Sequence, residues 1–524
     1  MLKTLFNRRN VIILALFIFS FAMRFVLLSK GPFHLDALDL AVSAQKTLNT
    51  HMLHYEHGTG YPLTVICAAF MMLFFKLFGI TDPVFCVNFM SCLFGSVSVV
   101  LLFFLVEKLF DPSAQASFHE AQGFCGLTGS SSSEISRDRL KGSGVAFRRA
   151  FFSALLLSCF APHLAVSTFG KSLTVSICLS LASAFCMVVY TLENKNRYLV
   201  YSAVFLGFCA AARLSDVLVG LPILFLYFSA GKMEYRRLKG FVVFVVISAL
   251  TGLIYYVPMF LDRGLGQFVY VWRHGNEAGF MGIFSFVFKY NLIWMVKIFG
   301  FAGLILCIAG FTRMIVRKHY RQVVFLFGWF LLLFVFYAGI SSCGPRYLVI
   351  AWIPLLVAQG YFLGGFRGRK NLAVCVLVLL ICSVGFVKYV PVLAFRHFYS
   401  LQEEFARWVG EKTPSDAVIV AMDESAFIHY YGKRRLLRRP VFENQLQVED
   451  FLKQLDDLLA QDRSIYMIDT ALEVYDEARL FKKSLFENYS VLFIGSKVNE
   501  DWHHSLLKPV FFKEKLFKIE KRQE

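Results

Sequence analysis

Long apolar runs separated by short polar breaks dominate the first 390 positions of the chain. About 20 apolar residues are enough to cross the hydrocarbon core of a bilayer as an α-helix. The pattern therefore predicts an α-helical polytopic membrane protein with about eleven spans. The predicted spans lie at about 10–29, 85–106, 150–169, 173–191, 198–212, 215–230, 240–258, 286–311, 322–340, 347–365 and 371–390.

The pattern changes after residue 390, where the charge rises and the apolar runs shorten. The segments AVIVAMDE, SIYMIDT and SVLFIGS are typical of buried strands, and VEDFLKQLDDLLAQ has helical spacing. We therefore expect a membrane module at 1–390 and a small C-terminal α/β domain at 391–524. The predicted domain contains no nucleophile elbow, P-loop or metal-ligand spacing, so we expect it to bind or cover a ligand and not to perform the chemistry.

Composition agrees with a membrane protein and excludes a water-soluble globule: 57% of the residues are hydrophobic and the mean hydropathy is +0.59. The net charge of +18 lies mainly in short breaks between the apolar runs, which is the positive-inside pattern and not a nucleic-acid footprint. The 12 cysteines form no CxxC pair, which excludes a disulfide framework and a zinc site as explanations.

Charge also predicts the topology, because basic breaks should face the cytoplasm. The breaks at 30–60, near 170, at 259–285 and at 341–346 are poor in Lys and Arg and should face outward. The apolar segment 61–79 is long enough to span, but a span there would put the basic 111–149 loop outside. We therefore expect 61–79 to lie along or dip into the outer leaflet. The basic breaks are at 8–9, 137–149, 195–197, 232–239, 313–321 and 367–370.

This topology places the N-terminus in the cytoplasm and the C-terminal domain outside, in the plasma or inner membrane. The first outer loop, at 30–84, then contains a helical pattern at 35–50. Its polar positions recur every three or four residues, which predicts a helix in the membrane interface with its apolar side in lipid. The alternative is that this stripe is simply hydrated. The stripe consists of Asp36, Asp39, Ser43, Lys46 and Thr50.

A second polar cluster follows in the segment HMLHYEHGTGYPL, which contains His51, His54, Glu56 and His57. Three histidines and a glutamate raise the possibility of a metal site. The spacing matches no standard metal site, so we expect no cofactor, although a divalent metal stays open.

The order of these features resembles the membrane glycosyltransferases of the GT-C class, especially protein O-mannosyltransferase-like and aminoarabinose-transferase-like enzymes of the family 39 type. One span is followed by an acidic outer helix, a motif ending in Tyr-Pro-Leu and an apolar stretch ending in LFG. The resemblance implies that Asp36 is the catalytic aspartate and that Asp39 takes the place of a second carboxylate. Glu56 and His57 fall where the next motif has Glu and His.

Tyr61 and Pro62 close that motif, but the chain departs from the family pattern elsewhere. Ala37 follows the first aspartate, so an adjacent Asp-Glu pair is absent. Gly58 and Thr59 replace the usual prolines. The subfamily, and with it the sugar, therefore stays open.

The resemblance implies transfer of a sugar from a polyprenyl-phosphate to an acceptor hydroxyl at the extracytoplasmic face. Asp36 would accept the hydroxyl proton. Asp39 or Glu56 would stabilise the oxocarbenium-like transition state or orient the acceptor. Protein, lipid and glycan acceptors all fit this chemistry.

The leaving phosphate requires cations, and Arg346 in SSCGPRYLVIAWIP is the first candidate because the charge rule disfavours a basic residue there. Similar enzymes show an Arg-Tyr pair before a span, which adds Tyr347. The alternative is an arginine that pairs with lipid headgroups. Arg263 and Arg273 are weaker candidates in the outer loop, and Arg213 places a charge between two short spans.

Two other classes of function compete with a glycosyltransferase. A transporter or lipid flippase would predict charges within spans near the midplane and internal repeats, but the predicted spans contain almost no acidic residues near the middle and show no clear repeat. A receptor or scaffold that binds through the C-terminal domain would leave the clustered carboxylates of the first outer loop unexplained.

Overall fold

The computed structural model describes residues 7–55, 60–111, 132–230, 235–264, 280–339, 346–366, 387–422, 425–442, 444–473, 480–500 and 510–522, with single positions between these ranges. By internal packing the chain divides into two compact units. The first comprises residues 1–28 and 40–394, and the second comprises residues 29–39 and 395–524.

The first unit is helical. Helix α12 bends at Gly300, whose φ of 62° lies outside the helical region. The described helices, including α2, through which the division passes, are α1 (Arg8–Val26), α2 (Leu35–Thr50), α3 (Pro62–Lys76), α4 (Pro83–Leu109), α5 (Ser132–Cys159), α6 (Ala161–Val166), α7 (Ser172–Glu193), α8 (Asn196–Ala212), a 3₁₀ helix (Leu214–Val219), α9 (Gly220–Phe228), α10 (Tyr235–Leu253), α11 (Val257–Arg263), α12 (Phe280–Val316), α13 (Tyr320–Ala338) and α14 (Val349–Leu363).

Among the described residues, five helices are long and apolar enough to cross a membrane: α1, α4, α7, α13 and the Phe288–Val316 part of α12. Three shorter apolar helices accompany them, at Pro62–Lys76, Leu214–Phe228 and Val349–Leu363. The protein is therefore a membrane protein. The count of about eleven spans stays a prediction, since much of the predicted span 371–390 lies outside the described residues.

Helices α1 and α4 pack antiparallel. At one end Arg9 donates two hydrogen bonds to Glu107, with Nε–Oε1 and Nη2–Oε2 distances of 3.0 and 2.6 Å. At the other end the ring of Phe21 lies 5.7 Å from that of Phe89. The chain between these helices, which includes α3, therefore starts and finishes at the same end of this helix pair. The membrane side that this end faces stays a prediction.

Small residues allow the longer helices to approach closely. A Cβ atom on Gly310 of α12 would lie 2.0 Å from the carbonyl oxygen of Ala358 on α14, and one on Gly360 of α14 would lie 2.1 Å from Oγ of Ser153 on α5. Close backbone approach through small residues replaces the hydrophobic effect as a source of helix association in lipid.

The seam between α7 and α8 is joined by a reciprocal pair of hydrogen bonds. Ser183 donates to the carbonyl oxygen of Ser202, and Ser202 donates to that of Ser183, both at 2.8 Å. Both serines are fully buried. Each hydroxyl thus forms within the protein a hydrogen bond that hydrocarbon could not supply.

Helix α2 covers the 35–50 helix predicted from the sequence. The predicted contact of its apolar side with lipid is wrong, because Ala37, Leu38, Ala41 and Ala44 are all buried within the protein. An apolar stripe made largely of alanine offers little area to lipid but lets neighbouring backbone approach closely. The helix is therefore held by protein contacts.

The second unit contains a five-stranded sheet with the order β2-β1-β3-β5-β4. Strand β1 pairs in parallel with β2 and β3, whereas β5 pairs antiparallel with β3 and β4. The elements of this unit, after helical residues 387–398, are α15 (Leu401–Lys412), β1 (Val418–Ala421), α16 (Ser425–Gly432), β2 (Arg435–Arg438), α17 (Gln445–Ala460), β3 (Ile465–Ile468), α18 (Asp469–Glu473), α19 (Leu480–Asn488), β4 (Tyr489–Glu500) and β5 (Phe511–Lys521).

The three strands and the helix predicted in this part of the chain are present. Strands β1 and β3 are fully buried, as expected. The third strand was predicted to be buried but is largely exposed: Leu492 and Phe493 of β4 are 46% and 60% exposed. Strand β4 lies at the edge of the sheet, so it has one sheet neighbour instead of two.

The close contact at Gly310 predicts a strong effect of one added methyl group. We expect Gly310→Ala to lower the free energy of unfolding by about 1–3 kcal/mol, because the new Cβ overlaps the Ala358 carbonyl. Denaturant unfolding in detergent micelles measures this change. Gly328→Ala on α13 is the matched control, since a Cβ there meets no atom within 4 Å. Equal effects of the two substitutions would contradict the close packing.

Candidate active site

Asp36 and Asp39 lie three residues apart on α2, so their side chains leave the same face of the helix. Both residues are partly buried. Asp36 is in the first helical turn, where the positive end of the helix dipole stabilises a carboxylate. The structure thus brings the two predicted acids together on one face of α2, with Asp36 at the positive end of the helix.

His34, just before α2, contacts Asp36 twice through the same ring nitrogen. Nδ1 lies 3.2 Å from Oδ1 of the Asp36 carboxylate and accepts a hydrogen bond from the Asp36 backbone N–H at 3.1 Å. The imidazole is buried, with 3% of its side chain exposed. A protonated Nδ1 can donate to the carboxylate, and a deprotonated Nδ1 can accept the backbone N–H. His34 is therefore able to orient Asp36.

The segment that precedes the acids is anchored within the second unit by Arg396. The backbone N–H of Lys30 donates to the Arg396 carbonyl oxygen at 3.0 Å, and the Arg396 guanidinium lies 3.3 Å from the centre of the Phe33 ring. Arg396 also donates to Glu500, with an Nη2–Oε1 distance of 2.9 Å. Burial lowers the pKa of Arg396, and the Glu500 carboxylate opposes that shift.

A second cluster of charged and aromatic side chains lies in the first unit, around Arg213. This residue interrupts the chain between α8 and the 3₁₀ helix with an extended backbone. Its guanidinium carbon lies 4.6 Å from the Tyr347 ring centre and 5.6 Å from that of Tyr337. Such cation–π contacts are typical within about 6 Å. They hold the guanidinium against the faces of both rings.

Asp216 is the acidic member of this cluster and is fully buried. One of its oxygens accepts a hydrogen bond from Ser176 at 2.5 Å, and the other accepts one from Tyr337 and lies 3.8 Å from Nε of Arg213. Asp216 therefore positions Arg213 and Tyr337.

Arg346 is the second cation, after Arg213, that contacts Tyr347. Its guanidinium carbon lies 4.9 Å from the Tyr347 ring centre, and Nη2 donates to the Tyr347 hydroxyl at 3.3 Å. Tyr347 is thus contacted by two guanidinium groups, those of Arg213 and Arg346. Guanidinium groups suit an anionic ligand such as a phosphate.

Tyr61 is held in an unusual backbone conformation at the start of α3. Its φ of 52° is left-handed, and the preceding Gly60 has a φ of 84°. A left-handed residue other than glycine costs of the order of 1–3 kcal/mol, and such residues concentrate at functional sites. Tyr61 lies within electrostatic range of Arg213 and Tyr256. The predicted residues Tyr61, Arg346 and Tyr347 thus belong to one group.

The other predicted site residues are not described in the same detail. Glu56, His57 and Arg273 lie outside the described residues. Arg263 is the last residue of α11, but its side chain is outside the description. The roles assigned to these four residues stay predictions.

No group of three or more His, Cys, Asp or Glu residues that could hold a metal occurs in the described part of the chain. The described ranges omit Glu56 and His57 of the histidine-rich loop. The expectation of no cofactor therefore stays a prediction.

Comparison with known proteins agrees with these features. Residues 47–236 match a family model described as the N-terminal domain of the protein O-mannosyl-transferase TMEM260. No curated protein sequence matches the chain.

Solved structures match over almost the whole length. ArnT from Cupriavidus metallidurans bound to undecaprenyl phosphate is similar with a TM-score of 0.58 and 13% identity, covering 97% of each chain. The fold is that of the GT-C membrane glycosyltransferases. An oligosaccharyltransferase from Archaeoglobus fulgidus gives a TM-score of 0.51 at 12% identity, over 92% of this chain and 71% of its own. The arabinofuranosyltransferase AftD from Mycobacteria gives a TM-score of 0.52 at 11% identity, over 97% of this chain and 41% of its own.

The resemblance to GT-C enzymes predicted from the first outer loop is thus confirmed for the fold, and residues 47–236 match the N-terminal domain of a protein O-mannosyl-transferase. Sequence reasoning did not identify His34 or Arg396 and gave Arg213 no role. The only local signal for His34 was its position two residues before Asp36. The contacts of Arg213 and Arg396 join residues more than 100 positions apart, which no local pattern reveals.

The buried Arg396–Glu500 pair predicts a large loss of stability when one partner loses its charge. We expect Glu500→Gln to destabilise the second unit by about 3–5 kcal/mol, since it leaves the buried guanidinium without its counter-ion. Hydrogen exchange should also show faster exchange of the Lys30 amide, which bonds to Arg396. Glu520→Gln breaks the exposed pair with Lys518 and should cost less than about 1 kcal/mol. An unchanged Lys30 amide in Glu500→Gln would contradict the anchoring role.

Proposed function

We propose that the protein is a glycosyltransferase that moves a sugar from a polyprenyl-phosphate donor to an acceptor hydroxyl at the extracytoplasmic face of the membrane. The observation that carries the proposal is the pair of carboxylates on one face of α2 in a chain with the GT-C fold. The sugar is a hexose or pentose, and the acceptor is a protein, lipid or glycan of the cell envelope.

Two further observations support a lipid-linked donor. The similar ArnT structure is bound to undecaprenyl phosphate, a lipid of this class. In the present chain, Arg213 and Arg346 both contact Tyr347, which brings two guanidinium groups to one aromatic ring. A lipid phosphate carries the negative charge that these guanidinium groups would bind, while its lipid tail remains in hydrocarbon.

Asp36 acts as the general base. It accepts the proton of the acceptor hydroxyl while that oxygen bonds to the anomeric carbon of the sugar. The bond from the anomeric carbon to the phosphate oxygen breaks, and its electrons leave with the lipid phosphate. The contact with His34 orients the Asp36 carboxylate. Asp39 adds negative charge near the oxocarbenium-like centre or orients the acceptor.

Arg346 stabilises the departing phosphate. It lies just before α14, where the helix dipole presents positive charge and unsatisfied N–H groups. An arginine at that end of a helix is unfavourable by itself, because both charges have the same sign. A bound phosphate would be attracted by the helix end and by the guanidinium of Arg346. Arg213, which also contacts the Tyr347 ring, adds a third positive charge.

Comparison of cell-envelope glycans and glycoproteins with and without the protein tests the proposal directly. We expect one set of molecules to lose a mass equal to one sugar residue when the protein is absent. Mass spectrometry measures that difference and identifies both sugar and acceptor. Identical glycan profiles, together with altered uptake or export of a small molecule, would support a transporter instead.

The base role of Asp36 predicts that Asp36→Asn lowers the rate of sugar transfer by about 10²–10⁴-fold, the usual contribution of a general base. Its abundance in the membrane should not change, because Asn occupies nearly the same volume. Asp82→Asn is a matched control at the N-cap of α4, where Asn caps as well as Asp does. Full activity of Asp36→Asn would remove the assignment.

The phosphate role of Arg346 predicts that Arg346→Ala raises KM for the lipid-linked donor by about tenfold or more, the loss expected for a hydrogen bond to a charged group. Steady-state kinetics with donor and acceptor varied separately measure this. Arg197→Ala removes an exposed arginine elsewhere and should leave both KM values unchanged. A rise confined to the KM of the acceptor would contradict the phosphate role.

A further inference from the structure

An apolar groove runs along the surface of α12 near its C-terminal end, with a volume of about 730 Å³. Its walls include Ile305 and Ile308, which are 63% and 66% exposed, and Phe362 and Phe366 on the α14 side. The volume is within the range of about 300–1,000 Å³ typical of pockets that enclose small ligands. The lining is apolar except for Thr312 and Arg313, which are adjacent on α12.

Arg313 is fixed by hydrogen bonds to backbone. Nη1 donates to the carbonyl oxygen of Phe362 at 3.1 Å, and Nη2 donates to that of Gly365 at 3.2 Å. A Cβ on Gly365 would lie 2.4 Å from the guanidinium, so glycine is required there for this approach. The arginine is thus held in one orientation while N–H donors remain for a ligand.

Arg313 is part of a group of like charges. The guanidinium carbon of Arg149 lies 3.7 Å from the Tyr361 ring centre. Its charge is repelled by the positive charges of Arg148, Arg313 and Arg317. The Nε atom of Arg149 is buried and has no hydrogen-bond acceptor among the described residues. Within the same described residues, neither Arg149 nor Arg313 forms an ion pair with a carboxylate. Such a group is stabilised by an anion.

This group is separate from the one around Arg346. Arg346 precedes the first residue of α14, whereas Arg313 bonds to carbonyl oxygens at the last turn of the same helix. A helix of this length spans roughly 22 Å at 1.5 Å per residue. The groove therefore opens at the end of α14 opposite to the proposed donor phosphate.

We propose that the groove binds an anionic phospholipid, with the headgroup phosphate on Arg313 and its neighbouring arginines and one acyl chain along Ile305 and Ile308. A fixed guanidinium matches phosphate oxygens in geometry and charge. Basic pockets between membrane helices commonly hold such headgroups. The site is independent of the sugar-transfer proposal, so either can fail without the other.

Lipid binding to the full chain, purified in dodecyl maltoside and stripped of lipid, tests the proposal. Native mass spectrometry gives the apparent Kd for phosphatidylglycerol, phosphatidylcholine, a polyprenyl phosphate and inorganic phosphate. We expect phosphatidylglycerol to bind at least about tenfold more tightly than phosphatidylcholine, as a charge-assisted hydrogen bond predicts. Equal binding of the two phospholipids, or tighter binding of inorganic phosphate than of phosphatidylglycerol, would overturn the proposal. Binding of the polyprenyl phosphate that Ala309→Trp leaves unchanged belongs to the donor site, whereas polyprenyl-phosphate binding that Ala309→Trp weakens more than phosphatidylglycerol binding would overturn the proposal.

Two variants test the two parts of the site separately. Arg313→Gln removes the charge and should weaken phosphatidylglycerol binding about tenfold. Ala309→Trp fills the groove without changing any charge and should weaken it as well. Arg197→Gln and Leu331→Trp are matched controls at exposed positions elsewhere and should leave the Kd unchanged. If Arg313→Gln fails to fold, the result for Ala309→Trp is decisive. A phosphatidylglycerol Kd of Ala309→Trp equal to that of the wild type overturns the proposal.

Discussion

Backbone polar groups in hydrocarbon must be satisfied within the protein, so the unpaired N–H and C=O groups at helix ends are the backbone positions that attract charge. Asp36 occupies the first turn of α2, where the helix dipole favours a carboxylate. Arg313 donates to carbonyl oxygens at the end of α14, where the dipole favours a cation. Arg346 has the opposite relation to its helix, because it precedes the positive end of α14. That unfavourable placement supports the proposed role of Arg346 at an anion.

The same constraint explains why small residues, and not large apolar ones, hold the helices together. Lipid tails are as apolar as leucine, so moving a leucine side chain from lipid to a helix interface gains little free energy from the hydrophobic effect. Close approach at Gly310 and Gly360 increases dispersion contacts between backbones. It also brings carbonyl oxygens within reach of side-chain donors, as Arg313 shows.

The sequence could predict features that depend on local periodicity. Helix α2 was predicted because a repeat of three or four residues marks one face of a helix, and the buried strands β1 and β3 were predicted because short continuous apolar runs are typical of buried strands. An apolar face does not report whether it touches lipid or protein, since both environments are apolar. That is why the lipid contact predicted for α2 was wrong.

The candidate site was predictable only in part for the same reason. Asp36 and Asp39 lie together because three residues return to the same helix face. The contact of Arg213 with Tyr347 and that of Arg396 with Glu500 join distant parts of the chain. Which distant residues meet is decided by tertiary packing, and a single sequence holds no periodic signal for it.

The anchoring of residues 29–39 by Arg396 and Glu500 has a consequence for biosynthesis. The ribosome synthesises Asp36 early and Glu500 near the end, and elongation at about 5–20 residues per second separates the two events by roughly half a minute or more. Until then the acid-bearing segment lacks its final support. The nascent chain therefore reaches the final arrangement of residues 29–39 only after the membrane helices have been synthesised.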